Sequence, residues 1–407
     1  MQSFRKLITV LALPFLIAAC SAVPLHVPVP ENEESVATVP GFPANIRFWA
    51  DEAPSNSRAL ISERIDAYRA ANADYFEKHK TYPALHYLAL SGGAYNGAFG
   101  AGLLSGWTDT GKRPDFALVT GVSAGALIAP FAFLGPRYDA TLRTFFTTTN
   151  SDKIFVGGLW NFMSGITGGL ALTDSTPLAK KIQTSITLDV MADIAAAHRK
   201  GRRLFISTTN MEAQRGVIWD IGAIANSGNP NALNLIHQII LASASIPGVF
   251  KPVFIDVKVG NASYSEIHAD GGVTSQVFVY PLKVQRSVID EFSRYHMERH
   301  LYIIRNSKIT PEYKVLQPEF FTLSQRSVET LSKYQGLGDL YRLYLSTQRD
   351  GIDYNLVYIP SGFTAKTKEY FDPVYMSQLF DVGYTMAKQP GTWMKKPPNL
   401  DYSPDEP

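Results

Sequence analysis

The sequence predicts an α/β sandwich built around a mainly parallel sheet. Short apolar runs sized for buried strands recur along the chain, at Tyr87–Leu90, Phe116–Val119, Arg203–Ser207, Val217–Asp220 and His300–Ile304. The first two lead straight into glycine-containing turns and then into helix-like stretches. Strand and helix signals alternate instead of clustering, which favours parallel strands joined by helical crossovers.

At the N-terminus, Arg5 and Lys6 precede an apolar stretch, Leu7–Ile17, that is too short to span a bilayer. With the small residues Ala18 and Ala19 before Cys20, it reads as an export signal over residues 1–19. Cys20 is the only cysteine, so no disulfide forms within the chain. The ending Ile17-Ala18-Ala19-Cys20 resembles the lipobox of bacterial lipoproteins, which implies a lipidated Cys20. Ser21, with no Asp at that position, resembles lipoproteins sorted to an outer membrane. The expected setting is thus a bacterial cell envelope, with the chain anchored to a membrane by acyl chains.

Residues 20–56, rich in Pro, Glu and Val near their start, read as an extended tether. The expected folded domain covers residues 57–390, and residues 391–407 read as a polar tail. Helices are expected at about 57–80, from the glycine-rich turn to Trp107, after Ser123, and at 231–244, 318–348 and 373–387. A net charge of +2 gives no electrostatic footprint for nucleic acid or anionic membranes. The 45% apolar content is ample for a core.

Three motifs carry chemistry. Gly121-Val122-Ser123-Ala124-Gly125 sits between an apolar strand and an apolar helix, the setting of an exposed nucleophilic serine. A tight turn with an inert serine fits that pentapeptide equally well. Ser91-Gly92-Gly93-Ala94-Tyr95-Asn96-Gly97 is a strand-to-helix turn whose backbone N–H groups could cradle a phosphate or an oxyanion. It lacks the Lys-Ser/Thr of a P-loop. Asp270-Gly271-Gly272 presents a carboxylate on a turn, or is a plain surface turn. Asp152, Asp174, Asp220 and Asp256 are scattered, with no metal-ligand spacing, and no metal or cofactor is expected. Trp160, Phe162 and Met163, among glycines, read either as a loop over an acyl pocket or as core.

The order glycine-rich turn, G-x-S-x-G, D-G-G closely resembles the patatin-like phospholipase family. The match runs from about Ala84 to the helix ending near Ala387 and takes in Leu172–Leu178, Thr208-Thr209-Asn210 and Ala242–Val253. The resemblance implies a three-layer α/β/α sandwich and a Ser–Asp dyad. Ser123 would be the nucleophile, Asp270 its base, and the amides of Gly92, Gly93 and Ala94 the oxyanion hole. It implies hydrolysis of a phospholipid or lysophospholipid ester through an acyl-enzyme. Two positions depart from the family's G-G-G-x-Arg/Lys-G: Ala94 replaces the third glycine and Asn96 the basic residue. Headgroup preference is left open by that loss of charge. One alternative is an α/β-hydrolase triad with His296 or His300 in the last role, or with His268 tuning the site from two residues before Asp270. Another is a catalytically silent, lipid-binding lipoprotein.

Overall fold

The computed structural model describes residues 26–54, 56–148, 175–280, 297–369, 371–398 and 400. Cys20, His296, Asp152, Asp174 and the Trp160–Met163 stretch lie outside them. In chain order, β1 (Arg47–Trp49) is followed by α1 (Ser57–Ala71) and α2 (Ala73–His79), a single expected helix broken at Asn72. Next come β2 (Leu85–Leu90), α3 (Gly97–Asp109), β3 (Phe116–Val122), α4 (Ala124–Leu134) and α5 (Asp139–Thr147). After α6 (Thr176–Ser185) and α7 (Leu188–Arg199) the chain forms β4 (Arg203–Asn210), β5 (Arg215–Asp220), α8 (Ile221–Ala225) and α9 (Ala232–Ser243). The hairpin β6 (Val253–Val259) and β7 (Ala262–Asp270) precedes β8 (Arg299–Arg305), α10 (Phe320–Asp350), β9 (Asp353–Tyr358) and α11 (Pro373–Ala387).

The sheet runs β1-β5-β4-β3-β2-β8-β9, and its five strands from β4 to β9 are all parallel. β5, β1 and the β6–β7 hairpin are antiparallel additions at one side. Alternation along β2 shows the layers. Leu88 and Leu90 face a core shared with α3, α4, α9 and α11, while Tyr87 and Ala89 face a second core with α1 and α10. The fold is a three-layer α/β/α sandwich with a mainly parallel sheet. The β4 register positions the site. Val122, the last residue of β3, pairs with Ser207, and the next β4 residue, Thr208, pairs with Asp270 of β7. Strand β4 outruns β3, and β7 takes over its free edge where β3 turns away at Ser123. That handover brings two residues far apart in sequence together.

The expected tether is instead part of the fold from residue 26 onward. Thr38 and Lys258 exchange backbone hydrogen bonds of 2.9 and 2.8 Å, extending the sheet beyond β6. Ala37 and Val39 are buried in the main core, and β1 pairs with β5. The expected C-terminal tail is also held at its start. Met394 bridges Leu356 of β9, and the Trp393 ring lies 4.8 Å from that of Trp107.

Candidate active site

Ser123 stands between β3 and α4 with φ 53° and ψ −120°, in the left-handed half of backbone space. A non-glycine residue there is strained and is held only by its surroundings. The restraint is visible. The Ser123 N–H donates to the Ser243 hydroxyl at 3.0 Å, and that hydroxyl donates to the Ser207 carbonyl at 2.7 Å. The flanking glycines allow contact that a Cβ would block: one on Gly125 would lie 2.3 Å from the Leu90 carbonyl oxygen. The helix can therefore start hard against the strands, with its N-terminal dipole at the serine.

Asp270 ends β7 and is 5% exposed, as is Ser123. Its N–H donates to the Ser245 carbonyl at 2.9 Å, and its Oδ1 accepts the Gly272 N–H at 2.7 Å. Burial raises the carboxyl to about 7; the Ser123 hydroxyl and the Gly272 N–H, both able to donate to the carboxylate, oppose that rise without cancelling it. A carboxyl that titrates near neutrality beside a buried serine can accept a proton from it.

The glycine-rich turn arches over this pair. Its three expected donors are not equivalent. The Gly92 N–H donates to the Gln276 carbonyl at 3.1 Å, so it is removed from the oxyanion hole assigned above. The N–H groups of Gly93 and Ala94 have no acceptor among the described residues. Both residues have positive φ, 156° and 50°. Ala94 thus holds a positive φ despite its Cβ, a conformation that the glycine usual at this place in the motif adopts without strain. Asn306, just beyond β8, pins the turn: its N–H and Nδ2 donate to Ser91 Oγ and to the Ser91 carbonyl at 2.8 and 2.9 Å, and its Oδ1 accepts the Gly100 N–H. Asn96 Oδ1 accepts the Tyr375 hydroxyl at 2.9 Å, which ties the turn to α11. Sequence reasoning assigned no role to Ser243, Gln276 or Asn306. A polar residue immediately after an apolar strand, as Asn306 is, was the available signal.

A narrow cleft of about 30 Å³ opens at Ser123, walled by Leu127, Phe145, Phe146, Leu178, Phe250 and Met376. Its lining is apolar apart from the serine, which suits a hydrocarbon chain and not a charged ligand.

Of the histidines named for the rival triad, His296 lies outside the described residues, and the other two are elsewhere. His268 is fully buried, with Nδ1 at 2.9 Å from Thr208 Oγ1 and Nε2 at 3.0 Å from Glu266 Oε2. Both ring nitrogens are occupied by partners other than the serine. His300 is the second residue of β8, is hydrogen-bonded to Asp353, and stacks on His86 near the start of β2. Because these strands are parallel, it lies at the other end of the sheet from Ser123, roughly 20 Å away at about 3.3 Å per residue. Asp220 caps α8 and Asp256 is exposed on β6. No group of three or more potential metal ligands occurs among the described residues.

Residues 88–283 match the family model for patatin-like phospholipase. A patatin-like phospholipase domain-containing protein of the yeast Meyerozyma guilliermondii is 32% identical over 175 residues, which is 42% of this chain. The match spans 23% of that relative's length. Among solved structures, VipD from Legionella pneumophila is 12% identical, covering 74% of this chain and 68% of its own, with a TM-score of 0.34. Human GIVD cytosolic phospholipase A2 is 10% identical, covering 78% and 55%, with a TM-score of 0.33. It is over residues 88–283, just under half of its length, that this chain is similar to the patatin-like phospholipase family.

Proposed function

We propose that the protein is a serine acyl-ester hydrolase acting on phospholipids or lysophospholipids through a Ser123–Asp270 dyad. The observation that carries this reading is a buried carboxyl raised to about 7 beside a serine held at a strained strand-to-helix turn. Ser123 Oγ attacks the ester carbonyl carbon as its proton passes to Asp270. The carbonyl π electrons move onto oxygen, where the N–H groups of Gly93 and Ala94 stabilise the charge; one such donor typically contributes about 3–4 kcal/mol. The tetrahedral species collapses, the C–O bond to the alcohol breaks, and Asp270 returns the proton to the departing oxygen. Water, deprotonated by Asp270, then attacks the acyl-Ser123 ester; the acyl C–Oγ bond breaks, Asp270 returns the proton to Ser123 Oγ, and a fatty acid leaves.

The apolar cleft supports an acyl chain as the group transferred. Helix α10 supports a lipid surface as the source. Phe320, Leu323, Val328, Leu331 and Tyr334 form an exposed apolar stripe along its first half. The end of that stripe touches the catalytic turn, since Gln335 donates to the Val273 carbonyl at 3.2 Å. Leu331→Asp should reduce co-sedimentation with phosphatidylcholine vesicles and spare hydrolysis of a soluble short-chain ester. Among the described residues, no helix is long and apolar enough to cross a membrane. Lipidation at Cys20, in a bacterial envelope and at the outer membrane, remains part of the proposal. Labelled palmitate entering the wild-type chain but not Cys20→Ser would support it.

The deciding experiment is fatty-acid release from lysophospholipids, diacyl phospholipids and short-chain esters. Release lost in both Ser123→Ala and Asp270→Asn supports the dyad. Release that survives Asp270→Asn, or no release from any ester by the folded protein, overturns it.

A further inference from the structure

The molecule has a second and larger cavity, of about 190 Å³, on the sheet face opposite α4. It lies between the first halves of β2, β3 and β4 and the overlying α1, at the end of the strands remote from Ser123. Phe48, Leu60, Ile61, Leu118, Phe205 and Ile352 give it apolar walls. Its polar groups converge on one side and are unequally satisfied. Asp220 faces Arg203 and accepts the Ala223 N–H, and Asp350 accepts from Tyr280 and Arg349. Both lining aspartates are therefore partnered.

Besides His198 Nδ1, which lacks a hydrogen bond and lies 3.6 Å from Asp220, two donors are left over. Arg64 donates through Nε and Nη2 to the carbonyls of Gly201 and Ala117, both at 3.1 Å, and has no carboxylate within 4 Å. Nη1 has no partner. The Tyr87 side chain is 4% exposed, and its hydroxyl has no hydrogen bond among the described residues. Arg64 lies 6.0 Å from the centre of the Tyr87 ring, so both donors serve the same space. The half-buried Arg64 and the Tyr87 hydroxyl both open on the cavity, where a ligand oxygen can supply the acceptor that the protein does not.

We propose that this cavity binds an amphiphilic monocarboxylate. Its two oxygens would accept from Arg64 Nη1 and the Tyr87 hydroxyl, and its hydrocarbon body would lie against Phe48, Leu60 and Phe205. Two donors match a carboxylate's two oxygens; a dianionic phosphate would leave charge and lone pairs unmet. The role proposed for the site is binding, not turnover. The proposal is independent of Ser123 chemistry.

The test is calorimetric titration of the full chain with octanoate, with 1-octanol and octyl phosphate as comparators. Octanoate should bind at one site, with octanol and octyl phosphate at least tenfold weaker. Tyr87→Phe, which removes only the hydroxyl, should weaken octanoate about tenfold. Leu60→Trp, which fills the cavity, should abolish binding while leaving the thermal transition in place. Arg64→Gln should weaken it further, and the first two variants decide the matter if that one does not fold. Absence of octanoate binding overturns the proposal. So does octanoate binding that survives Tyr87→Phe and Leu60→Trp but is lost in Ala244→Trp, because that would place the probe in the Ser123 cleft. Octyl phosphate binding as tightly as octanoate overturns the assignment to a carboxylate.

Discussion

Asp270 sits where two demands conflict. As the proposed base it must be ionised, yet its burial penalises the ionised form and raises the carboxyl from 3.8 to about 7. Activity should therefore rise with pH through an apparent pKa near 7 and level off above it, in kcat/KM measured on a neutral short-chain ester. Asp270→Asn should lower kcat/KM by about a thousandfold or more, the scale of a lost essential base. Stability should change in the opposite sense. Below pH 3.8 the carboxyl is neutral in both folded and unfolded chains, and burial costs nothing. As pH rises from about 4 to 7 the unfolded chain ionises first, and the folded state loses up to roughly 4 kcal/mol, at 1.36 kcal/mol per unit. Asparagine keeps the Oδ1 acceptor for Gly272 without the charge. Asp270→Asn should accordingly be the more stable protein at pH 8, and the two should converge near pH 4, in urea denaturation followed at both values. Equal midpoints at pH 8 would refute the burial argument. The sequence singled out Ser123 and Asp270 as candidates because both sit in short motifs tied to a turn. It could not show that Gly92 spends its N–H on Gln276, because that bond joins residues nearly two hundred positions apart.

Among the elements, α3 and α11 pack with their backbones in contact. A Cβ on Gly102 would lie 1.9 Å from the Phe380 carbonyl oxygen, and one on Gly383 would lie 2.2 Å from that of Phe99. The contact matters to the site because α3 begins directly after the glycine-rich turn and α11 holds Asn96 through Tyr375. Gly102→Leu must push the helices apart and should cost about 3 kcal/mol or more, at the upper end of overpacking effects. A chemical-denaturation midpoint unchanged from wild type would contradict the packing. If the separation reaches the turn, kcat should fall before the fold is lost, because the Gly93 and Ala94 amides would shift. Apolar periodicity made both helices legible, Pro373–Ala387 to the residue. It did not reveal their mutual contact, since glycine within a helix reads locally as a weakness and only a neighbour at close range explains it. The β6–β7 hairpin was missed for the same reason: its place in the sheet depends on pairing with the distant β4, and local composition is silent about that.

At the scale of the whole molecule, the N-terminal strap from residue 26 to Trp49 closes one side of the sheet. Its anchor is Arg47, which pairs bidentately with Glu266, one of the contacts being 3.0 Å, and donates to the Ala37 carbonyl at 2.8 Å. Glu266 in turn holds His268, two residues before Asp270 on β7. Burial alone would raise the Glu266 carboxyl, but hydrogen bonds from His268 and Arg47 outweigh it and hold the group at about 2. The sign follows: stability from this pair is fully present above pH 4.5 and is lost as pH falls through about 2. Arg47→Ala leaves a buried carboxylate without its cation and should cost about 3–5 kcal/mol. Arg47→Ala with Glu266→Gln should recover part of that loss, since the residual charge is removed. The Pro-, Glu- and Val-rich composition of this segment suggested a free tether, because long-range strand pairing leaves no local signature. Two truncations distinguish strap from tether. Removing residues 1–25 should leave the thermal transition unchanged, while removing residues 1–56 should lower it sharply and expose the β5 edge. If both truncations melt together, the strap contributes nothing to the fold, and the buried Arg47–Glu266–His268 chain is not what holds β7 and Asp270 in place.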